Sequence, residues 1–166
     1  PSKQVMQTTL LRGIKPGMRE YALYLPLYNG TESLTVGVPE GAKFEGLAPR
    51  KAKPLIFYGT SITHGACASR PGIAHPAILG RWFDMPVINI GFSGNGKMHK
   101  EVGDLMIEVD AAAYIIDCLP NMNAAMVTER CVPLVKQLRK ARPDTPIVLV
   151  EDRRFPNSWL VPSKSK

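Results

Sequence analysis

Leu55-Ile56-Phe57-Tyr58-Gly59-Thr60-Ser61-Ile62-Thr63-His64-Gly65 opens with four apolar residues and turns sharply through a glycine and two hydroxyl residues. An apolar run of this length without alternation is the pattern of a strand buried on both faces. Three more such runs follow: Val87-Ile-Asn-Ile90, Ala113-Tyr-Ile-Ile116 and Ile147-Val-Leu-Val150. Between them apolar residues recur at helical spacing, over Ile73 to Phe83, at Met98, Val102, Leu105, Met106 and Val109, and at Val127, Cys131, Leu134, Val135 and Leu138. Pro133 is expected to kink or break the last of these helices. Strand alternating with helix predicts right-handed βαβ units and an open parallel sheet in a three-layer α/β/α sandwich. Chemistry then belongs in the loops after Tyr58, Ile90, Ile116 and Val150, at the C-terminal ends of the strands.

Towards the N-terminus the pattern changes. Tyr21 to Tyr28 and Thr31 to Val38 alternate around Asn29-Gly30, which predicts a β-hairpin, followed by a Gly/Pro-rich connector from Gly37 to Pro54. The expected division is residues 1–50, a hairpin remnant of a β-rich accessory domain, and residues 51–166, the α/β domain. The chain starts without Met at Pro1-Ser2-Lys3-Gln4 and ends in Val161-Pro-Ser-Lys-Ser-Lys166, so both ends are expected to be cuts from something longer.

With 166 residues, 45% hydrophobic and 21% charged, one globular domain with a sizeable core is expected, and disorder and fibre are excluded. No stretch approaches eighteen consecutive apolar residues, so no membrane partner is expected. A net charge of +7 would suit nucleic acid, but the basic residues are scattered. Their one cluster, Lys136 to Arg142, falls at a predicted helix C-terminus, where cations favour the dipole, so no nucleic-acid partner is expected either. Cys67, Cys118 and Cys131 are odd in number and widely spaced, which argues against a disulfide framework and a zinc site.

Ser61 stands where the first strand turns into a helix. A hydroxyl there is either lifted out of the sheet edge for nucleophilic attack or used up as a helix N-cap. After the second strand comes Asn89-Ile-Gly91-Phe-Ser-Gly94-Asn-Gly96-Lys97, and after the third Asp117-Cys-Leu-Pro-Asn121. Gly-x-Ser-x-x-x-Gly at 59–65, the Gly-containing loop and the loop Asn, in that order, resemble the first three sequence blocks of the SGNH (GDSL-like) hydrolases, over about residues 53–155. Thr60 departs from the usual Gly-Asp-Ser. The resemblance implies a flavodoxin-like fold, a serine esterase activity, Ser61 as nucleophile, and Gly94 (backbone) and Asn121 (side chain) as oxyanion-hole donors, with no cofactor and no metal. Acyl transfer needs such fixed donors where the tetrahedral oxyanion forms.

The family's fourth block, Asp-x-x-His, does not occur between Pro1 and Lys166. It would supply the base that activates the serine. His64, His75 and His99 read as surface or structural residues, and Glu151-Asp152-Arg153-Arg154 as a solvated charge run at the functional edge. By resemblance the expected substrate is an ester, with O-acetyl groups on a carbohydrate favoured; a secreted or periplasmic location is compatible with the resemblance, but location is not read from the sequence. Two other readings stand beside this one. Gly91 to Lys97 is one hydroxyl short of a P-loop, since Met98 replaces the Ser/Thr, which would make the chain a nucleotide-binding domain. The hairpin would suit a non-catalytic carbohydrate-binding module.

Overall fold

The computed structural model of the chain describes residues 5–154, 156–157 and 159–160. The terminal stretches Pro1 to Gln4 and Val161 to Lys166, on which the expectation of cut ends rests, lie outside the described residues. The four apolar runs form strands β1 (Leu55–Gly59), β2 (Val87–Gly91), β3 (Ala113–Asp117) and β4 (Ile147–Leu149). All pair in parallel in the order β2-β1-β3-β4, which is the doubly wound, flavodoxin-like arrangement. The helices are α1 (Ser61–His64), α2 (His75–Trp82), α3 (Lys100–Met106) and α4 (Ala124–Ala141), and single 3-10 turns form at Pro71–Ile73 and Leu119–Asn121.

One face of the sheet presents Ile56, Tyr58, Tyr114 and Ile116. These meet Met106, Leu134 and Leu138 of α3 and α4 in the main core, with Met98 and Cys118 filling its upper end. Burying side chains of this size contributes roughly 1.5–3 kcal/mol each, which is why the buried strand runs decide the fold. Tyr114 is fully buried and resolves its polarity by donating to the carbonyls of Met106 and Val109, each at 3.3 Å. The opposite face carries α1 and α2 towards the β2 edge. Phe57 is buried there with the His75 ring edge-on at 5.8 Å, whereas Val148 of β4 is about half exposed.

Two expected features do not form, a break at Pro133 and the N-terminal hairpin. α4 is not broken: Pro133 lies inside one helix running from Ala124 to Ala141, capped by Asn123, whose side chain accepts from the Met126 amide at 2.9 Å. Leu134 and Leu138, just beyond the lost hydrogen bond, bury the inner face, and Pro133 is exposed. The hairpin at 21–38 does not form either; no residue from 5 to 54 belongs to a strand. A lone two-stranded hairpin is marginal in water. Side chains of this stretch lie on the α/β domain as a strap: Leu27 sits against Gly65, Tyr24 against Gly72, and Arg50 pairs with Asp84.

Candidate active site

Gly59, Gly91 and Asp117 are register partners across β2, β1 and β3, so the loops carrying Ser61, Gly94 and Asn121 leave the sheet side by side at its C-terminal edge. Thr60, not Ser61, caps α1: its backbone is extended (φ −93°, ψ −163°) and its side-chain oxygen accepts from the Ile62 amide at 3.2 Å. Ser61 is therefore the first helical residue, half-buried, and its hydroxyl is not spent on capping. The departure from Gly-Asp-Ser thus places a short capping oxygen at residue 60, as Asp would.

The turn is tightly packed. A Cβ on Gly59 would run into the Thr63 side chain and the Asp117 carbonyl, one on Gly91 into the His64 backbone, and one on Gly96 into the Gly59 carbonyl. Gly96 therefore seats the loop after β2 on the β1–α1 turn, helped by Phe92 N–H donating to the Gly59 carbonyl at 2.9 Å. Gly94 rises from that loop with φ +70° and open space around it, so its demand for glycine is conformational rather than steric. Asn121 ends the 3-10 turn after β3. Its Oδ1 is buried and has no hydrogen-bond partner among the described residues.

A helix of one turn does not sustain itself, since nucleation is unfavourable without tertiary contacts. α1 is held from the sheet side by Thr63, whose hydroxyl donates to Asp117 Oδ2 at 2.9 Å and whose carbonyl accepts from Asn89 Nδ2 at 2.9 Å. Asn89 also accepts from the Gly91 amide at 3.0 Å. Burial raises the Asp117 carboxyl above its ordinary pKa, opposed by the Thr63 hydrogen bond and by His75. Burial likewise lowers His75, opposed by Asp117. Burial pushes the Cys118 thiol up to about 12, which removes it as a nucleophile.

His64 is committed elsewhere: Nε2 bonds the Leu27 carbonyl, and the ring stacks on Tyr28 with centroids 4.0 Å apart, while Nδ1 is buried unpartnered. His75 packs on Phe57 and interacts with Asp117, and His99 precedes α3, its amide donating to the Tyr58 hydroxyl. Asp152 and Arg153 form an exposed ion pair at 3.0 Å close enough to Asp117 to influence it. Among the described residues no three of His, Cys, Asp and Glu cluster as a metal site. The Gly91 to Lys97 loop follows the edge strand and α3 begins only at Lys100, so the lysine does not open a helix as a P-loop lysine does.

Asp117, Thr63, Asn89, Gly96 and the strap escape a motif-based reading. A carboxylate closing an otherwise apolar strand and an Asn inside Val-Ile-Asn-Ile were the available signals.

The family model for GDSL-like lipases and acylhydrolases matches residues 52–166, and a model for the N-terminus of SGNH-hydrolase-type esterases matches residues 1–44. A Bacteroides ovatus protein assigned to the GDSL-like lipases superposes with a TM-score of 0.77 at 42% identity, over 85% of this chain and 42% of that one. The chain thus spans less than half the length of that relative. The esterase AlinE4 of the SGNH-hydrolase family (TM-score 0.51, 20% identity, 66% of this chain and 64% of that one) shares the fold. So does the salicylyl-acyltransferase SsfX3 of a tetracycline biosynthetic pathway (0.53, 21%, 60% and 30%). No curated protein matches the chain.

Proposed function

The chain belongs to the GDSL-like lipase/acylhydrolase family, and from that premise we propose that it carries the nucleophile half of a serine esterase site. The observation that supports this most is the use of Thr60 as the cap of α1, which leaves the Ser61 hydroxyl uncommitted beside the loops of Gly94 and Asn121. In the proposed reaction Ser61 Oγ attacks the ester carbonyl. The oxyanion accepts from the Ser61 and Gly94 amides and the Asn121 side chain, the alcohol leaves, and water releases the acyl group from Ser61. Asn121 supports this role as a side-chain amide donor at the end of the turn after β3.

The proton from Ser61 needs a base. His64 is engaged by Leu27 and Tyr28, so we assign that role to an Asp-x-x-His block outside residues 1–166. As substrate we propose an O-acetylated carbohydrate: the loop beside Ser61 exposes Phe92, a ring a sugar face can stack on, together with Ser93 and Asn95 for its hydroxyls. The test is hydrolysis of p-nitrophenyl acetate and of an acetylated oligosaccharide by the whole protein and its Ser61→Ala variant. Turnover that Ser61→Ala abolishes supports the esterase. Activity on p-nitrophenyl acetate but on no acetylated sugar would keep the esterase and remove the carbohydrate.

A further inference from the structure

We propose that Leu27 and Tyr28 are positioning residues for Ser61, acting through His64, so that the N-terminal strap is a working part of the esterase site. The proposal rests on the reading of Ser61 as nucleophile. α1 has four residues, with Ser61 at one end and His64 at the other. Its sheet side is fixed through Thr63, by Asp117 and Asn89. Its outer end is held at the backbone by Gly91 of β2 and at the ring of His64 by two groups of the strap: the Leu27 carbonyl on Nε2 and the Tyr28 ring stacked at 4.0 Å with 19° between the planes.

The chemistry of this contact is specific. A carbonyl accepts only, so Nε2 carries the hydrogen and the ring has one orientation and one protonation pattern at that nitrogen. The Leu27 side chain occupies the place a Cβ would take on Gly65, the residue that ends α1 in the left-handed region at φ +107°. Strap and helix end therefore fit as a pair. The amides of Gly65 and Ala66 return to the Ser61 carbonyl at 3.0 and 2.8 Å, so loosening the outer end loosens the hydrogen bonds that fix the Ser61 backbone.

The strap has a second anchor that does not touch α1. Tyr24 lies over Gly72, its hydroxyl accepts from Arg81 Nη1 at 3.0 Å, and the guanidinium carbon sits 5.3 Å from its ring centre. This anchor separates holding the strap from positioning the nucleophile.

The experiment measures kcat and KM for p-nitrophenyl acetate in the whole protein carrying Tyr28→Ala, Tyr28→Phe or Tyr24→Ala, with amide hydrogen exchange at Gly65 and Ala66 and the thermal midpoint of each. Because small displacements of a reacting group cost one to two powers of ten, Tyr28→Ala is expected to lower kcat about tenfold with KM within about twofold. It should also speed exchange at both amides, and Tyr28→Phe, which keeps the stack, should restore both readouts. Tyr24→Ala should lower the midpoint and leave kcat near the parent value. Parent-like kcat and exchange in Tyr28→Ala would overturn the proposal. So would a loss of kcat in Tyr24→Ala equal to that in Tyr28→Ala, or a failure of Tyr28→Phe to rescue. If the unmutated protein shows no turnover that depends on Ser61, the esterase reading itself has failed, and the positioning role falls with it.

Discussion

Asn121 and Cys118, three residues apart, illustrate two fates of a polar atom at the head of a sheet. Cys118 is buried with its thiol donating weakly to the Tyr58 carbonyl at 3.7 Å, and burial holds its pKa near 12. It should resist thiol reagents in the folded chain while the exposed Cys67 reacts at once, a contrast that a timed Ellman titration with and without denaturant would show. Prompt modification of Cys118 would mean that the core opens there. Asn121 instead stands on the loop after β3, beside the loops of Ser61 and Gly94, with a side-chain amide that can donate. Asn121→Ala in the whole protein is accordingly expected to cost about 10²–10³ in kcat, as the loss of an oxyanion donor does, with little change in thermal midpoint. A parent-like kcat would remove Asn121 from the oxyanion hole.

At the scale of elements, α4 and β3 give predictions of opposite character. Pro133 interrupts the hydrogen-bond ladder of an otherwise continuous helix, where proline costs about 3 kcal/mol, and it is exposed. Pro133→Ala should therefore raise stability by about 1–3 kcal/mol in urea unfolding, provided that the outward position leaves the core untouched. A loss of stability would show that the proline shapes the packing of Leu134. Asp117 closes β3 with a carboxyl whose pKa burial has raised. A raised folded-state pKa means that the folded chain binds this proton more tightly than the unfolded one. The stability it contributes is full below the unfolded value of 3.8 and is lost as pH rises through the folded value. Asp117→Asn, which keeps an acceptor for Thr63, should thus be at least as stable as the parent at pH 7, with the difference shrinking on acidification towards pH 4. The lowered His75 acts in the opposite sense, losing stability as pH falls below its ordinary 6.5, so the comparison must be made against the parent at each pH.

The four strands, the parallel sheet and the spacing of Ser61, Gly94 and Asn121 along it were legible in the sequence because buried runs and strand-end glycines and turn residues are local signals. The strap was misread for the same reason. Alternation around Asn29-Gly30 is locally a hairpin, and only the position of Gly65, Gly72 and His64 in three dimensions shows that Tyr24, Leu27 and Tyr28 lie against the domain instead. The clamp of Asp117 and Asn89 on Thr63 spans 54 and 26 residues and leaves no periodic trace.

Across the whole molecule, the sheet face bearing α1 and α2 leaves Val148 about half exposed, and Trp82 and Phe83 stand out at the end of α2. Exposed apolar surface of this kind promotes association. Residues 1–166 as an isolated chain should bind a hydrophobic dye or self-associate, and a monodisperse chain that binds none would contradict this. If the base for Ser61 lies outside these residues, as proposed, the same chain should hydrolyse p-nitrophenyl acetate barely above background, since loss of a triad member typically leaves about 10³-fold over water.

The measurement that bears most directly on the central claim is acid quenching of the whole protein during turnover of an acetyl ester, followed by peptide mass spectrometry. The account predicts one acetyl group on the peptide containing Ser61, absent from Ser61→Ala. Acetyl on a different residue, or Ser61→Ala turning over the ester at the parent rate, would contradict it.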